Sequence, residues 1–264
     1  MKIDMHCHTK EGSLDAKVPV EQYIERLKEL GFGGMVITDH DSYKGYRAWK
    51  KDIKGNKHTD FLVLKGIEYD TFGAGHILVI MPETVKLRIL EMRGLPAHIL
   101  ISIVHSNGGI LGPAHPYGEK YMSLAHTRAY RRDPRIMKRF DFVETFNSCE
   151  PQEANEMACK LAAKYHKVGI GGSDSHRYDC IGTAYTEVPD DITCESDLIA
   201  SVLRGDPFAV GGTLYKKTKK DKIGQLKHLL AFSFYVYNKV AGLVKVRKRN
   251  VKLKDEFADK ESQL

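Results

Sequence analysis

The sequence predicts an α/β protein built on a parallel sheet, open or closed into a barrel, followed by a basic amphipathic appendage. Three observations carry this reading. Short apolar stretches alternate with helical patterns along most of the chain, the order a parallel sheet needs because each crossover is a helix. Most of those stretches finish in histidine, aspartate or glutamate. Basic charge gathers at one end: residues 215–264 hold 14 Lys and Arg against 5 Asp and Glu, leaving 27 against 29 for residues 1–214.

Taken in order, residues 3–5 form a first short strand, and the HxH pair His6 and His8 follows at its end. Period-2 alternation puts both imidazoles on one side of an extended chain. Pro19 suits a first helical position, Tyr23, Ile24, Leu27 and Leu30 follow at helical spacing, and Gly31 stops the helix. Strands are expected over 34–40, ending in Asp39 and His40, over 61–70, carrying Glu68, and over 76–80, starting at His76. A helix bearing His98 and His105 precedes a strand over 108–116 that ends near His115, and a strand over 140–147 carries Glu144 and Asn147. Ala154, Met157, Ala158, Leu161, Ala162 and Tyr165 then mark a helix. A strand over 168–176 delivers Asp174 and His176, and a last helix covers 193–204.

With 264 residues, 42% hydrophobic and 28% charged, the chain can bury a full-sized core. Residues 1–214 are nearly neutral, which argues against a broad nucleic-acid footprint on that part. Five scattered cysteines, Cys7, Cys149, Cys159, Cys180 and Cys194, include no CxxC pair, so neither a disulfide framework nor a zinc ribbon is expected. Cys7 reads as a core thiol. The first residues have no charged segment followed by an apolar one, so a cytoplasmic location is the expectation.

The functional face of an α/β sheet lies at the carboxyl ends of its strands, so ligands gathered there would converge. Imidazoles and carboxylates without thiolates suit Zn²⁺, Mn²⁺ or Fe²⁺. Several carboxylates among many histidines suggest more than one ion, and paired ions suit displacement at phosphorus by a metal-bound hydroxide. That chemistry needs no serine or cysteine nucleophile, and no GxSxG or P-loop is present. His58, His126, His166 and His228 lie in polar surroundings and are expected to be solvated, and His98 and His105 to be structural or surface residues.

The series HCHT (6–9), TDH (38–40), GIE (66–68), GHILV (75–79), AHP (114–116) and GGSDSH (171–176) resembles the motifs of the PHP (polymerase and histidinol phosphatase) domain family, from residue 1 to about 207. The resemblance implies a distorted (β/α)₇ TIM-like barrel over 1–214 with two or three divalent metal ions, and phosphoester hydrolysis as its activity. It implies a first site of His6, His8, Glu68 and Asp174. Glu68 would bridge to a second site completed by His76 and His115. His40 and His176 would hold a third ion with an acidic residue, where the family has an aspartate and this chain has Ser13; Asp15 takes that place, with Glu11 as the alternative. His176 or Asp15 would also handle protons. Glu144 and Asn147 fall in a stretch similar to a family strand and would line the pocket, although Glu144 could instead hold an imidazole by its free N–H.

A phosphate substrate needs a further cation, and Arg128, Arg131, Arg132 and Arg177 are the candidates. In the appendage, an amphipathic helix flanked by basic clusters over 216–254 could lie on an anionic membrane surface or dock a protein partner, and nucleic acid is the remaining partner. A packed terminal helix with a basic tail is the plain alternative. The expected activity is metal-dependent hydrolysis of a small phosphomonoester or a nucleotide. The alternatives are a nuclease on single-stranded or oligomeric nucleic acid and a non-catalytic metal-bound interaction module.

Overall fold

A computed structural model describes residues 1–118, 122–215 and Val236. From residue 216 the expected amphipathic appendage lies outside the described residues, Val236 apart. The sequence-read elements are present: β1 (Lys2–Cys7), α1 (Val20–Glu29), β2 (Gly34–Ile37), and, after an unforeseen α2 (Lys44–Asp52), β3 (Leu62–Asp70) and β4 (His76–Ile80). Then come α3 (Ala97–Ser106), β5 (Ile110–Pro113), a five-residue α4 (Arg128–Arg132), β6 (Phe142–Asn147), α5 (Gln152–Tyr165) and β7 (Val168–Gly172). Two further strands, β8 (Ala184–Glu187) and β9 (Ala209–Gly212), flank α6 (Glu195–Arg204).

The α/β class holds, but the sheet is mixed rather than parallel. One curled seven-stranded sheet runs β5-β4-β3-β2-β1-β8-β9, and β6 and β7 form a separate parallel pair. β1, β2 and β3 are parallel neighbours, whereas β4 and β8 run against theirs. The reason is local for β4: residues 71–75 between β3 and β4 are too few for a crossover helix, so the chain turns back as a hairpin. The reversal brings the first residue of β4, His76, to the face where its parallel neighbours end.

The two-stranded unit is stitched between β5 and β1. Asp141 N donates to Leu111 O at 2.8 Å, Asp174 N to His6 O at 2.9 Å and His8 N to Ser175 O at 3.3 Å. Glycine permits both approaches, since a Cβ on Gly112 would lie 2.3 Å from Phe142 O and one on Gly172 2.6 Å from His6 N.

Three apolar clusters hold the described residues together. Inside the curl, Ile3, Met5, Val36, Leu64, Leu78, Ile80, Ile110, Phe142 and Ile170 meet Leu198, Ile199 and Val202 of α6. These residues come from the early parts of the parallel strands and the late part of reversed β4, so they fill the end opposite the histidines. Tyr23, Ile24 and Leu27 of α1 and Trp49 of α2 cover one outer face, and Leu100, Ile101 and Val104 of α3 cover another. At about 1.5–3 kcal/mol for each large apolar side chain fully buried, these layers provide the rigid frame for a polar rim. No helix among the described residues is long and apolar enough to cross a membrane.

Candidate metal centre

The rim is built from strand ends. β1 and the residue past it supply His6 and His8, the exit of β2 supplies His40, β3 supplies Glu68, the start of β4 His76, the exit of β5 His115 and the exit of β7 Asp174 and His176. Two of these positions have left-handed backbones, His115 at φ 27° and Asp174 at φ 51°, a conformation that costs of order 1–3 kcal/mol each. The surroundings hold both in place: His115 N donates to Glu144 Oε2 at 2.6 Å, and Asp174 N to His6 O.

Glu68 is the junction. Its Oε1 lies 2.8 Å from His76 Nδ1 and 3.0 Å from His115 Nε2. Its Oε2 lies 3.3 Å from His6 Nε2, 3.2 Å from His8 Nε2 and 3.0 Å from His40 Nδ1, yet this buried oxygen accepts no hydrogen bond. Asp174 Oδ1 stands 3.2 Å from His8 Nε2 and 3.6 Å from His6 Nε2. At the mouth, Asp15 Oδ2 is 3.3 Å from His176 Nε2 and 3.6 Å from His40 Nε2.

The far sides of the rings are occupied, which sets which nitrogen faces inward. His6 Nδ1 meets Glu144 Oε1 at 2.8 Å, His8 Nδ1 meets Ser13 Oγ at 3.2 Å and His176 Nδ1 meets Asp174 O at 2.9 Å. A proton on each Nδ1 leaves each Nε2 lone pair pointing inward. With the His6 ring neutral, its Nε2 and His8 Nε2 are two acceptors only 3.1 Å apart. That arrangement, with an orphaned carboxylate oxygen between them, fits a divalent cation. His6, His8, Glu68 and Asp174 form one group able to hold an ion, His40, Glu68 and His76 a second, and His8, His40 and His176 a third. His40 thus joins Glu68 as well as the mouth, while His115 reaches the centre through Glu68 Oε1.

The electrostatics agree. Burial would raise the Glu68 carboxyl, but His76, His40 and His6 hold it well below its ordinary value. Burial opposes the charge on Asp174 too, and His6 and His8 hold it down. Burial would lower His6, yet Glu144, Asp174 and Glu68 push it well up. Burial is likewise outweighed at His40 by Glu68 and Asp15, and at His115, carried to about 9, by Glu68. His8 moves the other way, lowered by burial and by its neighbours His176 and His40. Buried carboxylates that demand positive charge can receive it from imidazolium or from metal.

The other expected residues lie around this cluster. Glu11, the alternative third-site acid, instead accepts from Val20 N at the start of α1, at 3.2 and 3.3 Å, because the helix N-terminus attracts a carboxylate. Glu144 and Asn147 are each 1% exposed, and of the two roles expected for Glu144 the structure shows it as the partner of an imidazole. Glu144 orients His6 and His115, and Asn147 Nδ2 donates to Glu144 Oε2 and Asp174 Oδ2, both at 3.2 Å. Arg128, Arg131 and Arg132 are exposed, and Arg131 binds the carbonyls of His126 and Thr127. Arg177 lies 3.3 Å from Asp179. None of these four guanidinium groups ion-pairs with the cluster. His58, expected in solvent, has a side chain only 16% exposed and packs beside Glu21.

Three residues have supporting roles that the sequence reading did not give them, although it named Asp39 and Ser13. Asp39 accepts from Thr9 N, Thr9 Oγ1 and Ser13 Oγ and so fixes the loop after His8; its place in the TDH motif was the available signal. Ser13 also accepts from His40 N at 3.0 Å. Ser123, 3.3 Å from His115 Nδ1, has no sequence signal.

Comparison with known proteins gives the same picture. Residues 152–207 match the model of a PHP-associated region. A 45-residue stretch is 33% identical to a PolC-type DNA polymerase III of Lacticaseibacillus paracasei, spanning 17% of this chain and 3% of the polymerase. PsfC of Pseudomonas syringae superposes with a TM-score of 0.60 at 14% identity, covering 88% of this chain and 98% of that one. A Bifidobacterium adolescentis protein, assigned by inference as a metal-dependent phosphoesterase, gives 0.56 at 18%, covering 77% and 96%. The lesion-specific endonuclease of Pyrococcus furiosus gives 0.56 at 16%, covering 80% and 58%. At these identities the superpositions speak for the fold. The model of the PHP domain itself matches residues 4–168, the stretch that supplies most of the converging histidines and Glu68, and the chain belongs to the PHP domain family.

Proposed function

We propose that the chain hydrolyses phosphoesters at two or three divalent cations held by His6, His8, His40, Glu68, His76, His115 and Asp174, with Asp15 and His176 completing the outermost site. The observation that carries the reading is Glu68: an unbonded, fully buried carboxylate oxygen faced by three imidazole nitrogens. Bound cations would polarise the phosphoryl oxygens and acidify a water. Imidazole and carboxylate ligands suit Zn²⁺, Mn²⁺ or Fe²⁺ equally.

The protein's own groups do the rest. Glu144, Ser13 and Ser123 hold His6, His8 and His115 in the tautomers that face the centre. His6, His8 and Glu68 are fully buried, whereas the His40 and His176 side chains are 28% and 27% exposed and Asp15 55%, so the ester approaches from this side. In a two-ion form, His176 Nε2 beside Asp15 Oδ2 holds the proton that the departing oxygen needs; in a three-ion form the same atoms hold the ion. A small phosphomonoester or nucleotide is the favoured substrate.

The test is elemental analysis of wild type and Glu68→Gln, with turnover of p-nitrophenyl phosphate and its bis-ester. Two or three ions per wild-type chain, with depletion of both metal and turnover in the variant, is the expected result. A folded wild type that stays inert after Mn²⁺ and Zn²⁺ loading overturns the proposal. Nuclease action is the second reading, favoured by the 14 basic residues against 5 acidic in 215–264 and by the endonuclease neighbour. It requires activity on single-stranded DNA or RNA that falls steeply with salt and weakens on deleting 216–264.

A further inference from the structure

We propose that Cys149 and Cys180 form a reversible disulfide that loosens the metal centre, a device that rests on the metal-site reading above. The two Sγ atoms are 3.5 Å apart, although the residues are 31 positions apart in sequence and belong to different strand exits. Cys149 lies just past β6, partly exposed. Cys180 is buried and ends the single turn Tyr178–Cys180, four residues beyond His176. Both thiols point at one acceptor, Ser173 O, at 3.4 and 3.7 Å. The other three cysteines are engaged elsewhere: Cys7 Sγ with Asp4 O, Cys159 Sγ with Thr145 O, and Cys194 as the cap of α6.

The chemistry requires a hydroperoxide as oxidant. The accessible Cys149 sulfur, as thiolate, attacks the peroxide; the O–O bond breaks, an alcohol leaves after protonation, and Cys149 becomes a sulfenic acid. Cys180 sulfur then attacks Cys149 sulfur, the S–O bond breaks, and the departing hydroxide leaves as water with the Cys180 proton. Two thiols and one hydroperoxide give one disulfide, one alcohol and one water. A thiol reductant reverses the bond by exchange.

The pair is wired to the centre through short covalent and hydrogen-bonded links. Cys149 N donates to Asn147 Oδ1 at 2.9 Å, and Asn147 Nδ2 ties Glu144 to Asp174. A disulfide needs a sulfur separation of about 2.0 Å, so bond formation draws the two sulfurs together by roughly 1.5 Å and covalently ties the segments that carry them. It also removes two S–H donors from Ser173 O, whose residue adjoins Asp174. Both changes fall on the residues that hold Glu144 and Asp174 against His6 and His8, so the oxidised protein binds its first ion more weakly.

The full-length chain is stripped of metal with EDTA and treated with tert-butyl hydroperoxide. Peptide mapping without reductant is expected to find the Cys149 and Cys180 peptides cross-linked, and tris(2-carboxyethyl)phosphine to separate them. Titration with Mn²⁺ is expected to show at least tenfold weaker binding in the oxidised form, restored on reduction. Cys149→Ser, and Cys180→Ala as a second variant, are expected to bind like the reduced wild type and to form no cross-link with peroxide, the Cys180→Ala protein stopping at the Cys149 sulfenic acid. Sulfinic acids or intermolecular Cys159 links in place of the cross-link overturn the proposal, as does a cross-link that leaves Mn²⁺ affinity unchanged. If the reduced protein binds neither Mn²⁺ nor Zn²⁺, the metal reading fails and the device loses its target, while the peptide map still reports whether the bond forms.

Discussion

His6 has two jobs that pull on opposite edges of one ring: Nδ1 is held by Glu144 at 2.8 Å while Nε2 faces Glu68 and Asp174. Glu144 Oε2 also accepts the backbone N–H of His115, so a single carboxylate fixes one imidazole ring and the strained backbone that carries another. Removing it should weaken ion binding without removing a direct ligand, typically by 10–100-fold for a group that orients ligands. Glu144→Gln keeps the size but not the charge, so it is expected to lower Mn²⁺ affinity within that range, read by calorimetry, with the fold intact by circular dichroism. Unchanged affinity would mean that His6 is oriented without its partner. Asp15 and Glu11 give a sharper contrast. Where three ions bind, Asp15→Asn should remove one of them and leave stability nearly untouched. Glu11→Gln should keep every ion and cost about 0.3–1 kcal/mol through the start of α1, measured by elemental analysis beside thermal melting.

At the level of elements, the site depends on how closely strands can approach. The Gly172 position against His6 is the tightest of these contacts: an added Cβ would sit 2.2 Å from His6 Cβ. Gly172→Ala is expected to cost about 1–3 kcal/mol by overpacking and to displace β7 from β1, lowering ion content together with the melting temperature; a variant as stable as wild type would contradict the stitched arrangement. Elements with a strong period or a sharp stop were legible from sequence, such as α1 between Pro19 and Gly31 and α5 with its run of small and apolar residues. α2 was not, because Trp49 and Gly45 are its only buried residues, and a short stripe carried by one large apolar side chain is hard to read. β8 and β9, of four residues each, are too short and, in β9, too glycine-rich to register as alternation. The histidines and carboxylates were legible as candidates because strand exits of an α/β fold gather on one rim. The placement of the arginines was not legible, because position in the chain between two strands says nothing about where a long exposed side chain points; Glu68 was read as the bridging residue from the resemblance, and the added approach of His40 Nδ1 to it, at 3.0 Å, depends on a curl that only the assembled sheet contains.

For the whole molecule, the cluster couples folding, protons and metal. His6 and His40 have folded values well above the ordinary imidazole value of 6.5, His176 is raised, and His115 is raised to about 9. A raised value means that at pH 7 the metal-free protein keeps protons that a ligating nitrogen must give up. Ion binding at pH 7 therefore releases protons, and apparent affinity rises as pH climbs through about 9, where His115 is half deprotonated. The sign for stability is opposite in the metal-free chain. The imidazolium contribution is fully present below 6.5 and is lost as pH rises through the folded values, so that form loses stability on the alkaline side. With metal at 100 times its dissociation constant, folding gains about 2.7 kcal/mol, and this gain grows over the same pH span. Calorimetry in two buffers of different ionisation enthalpy reads the protons released, and melting curves with EDTA or Mn²⁺ between pH 6 and 9 read the stability. The two sets of melting temperatures should diverge as pH rises; parallel curves, with no proton release, would show that the imidazoles enter the bound state already neutral.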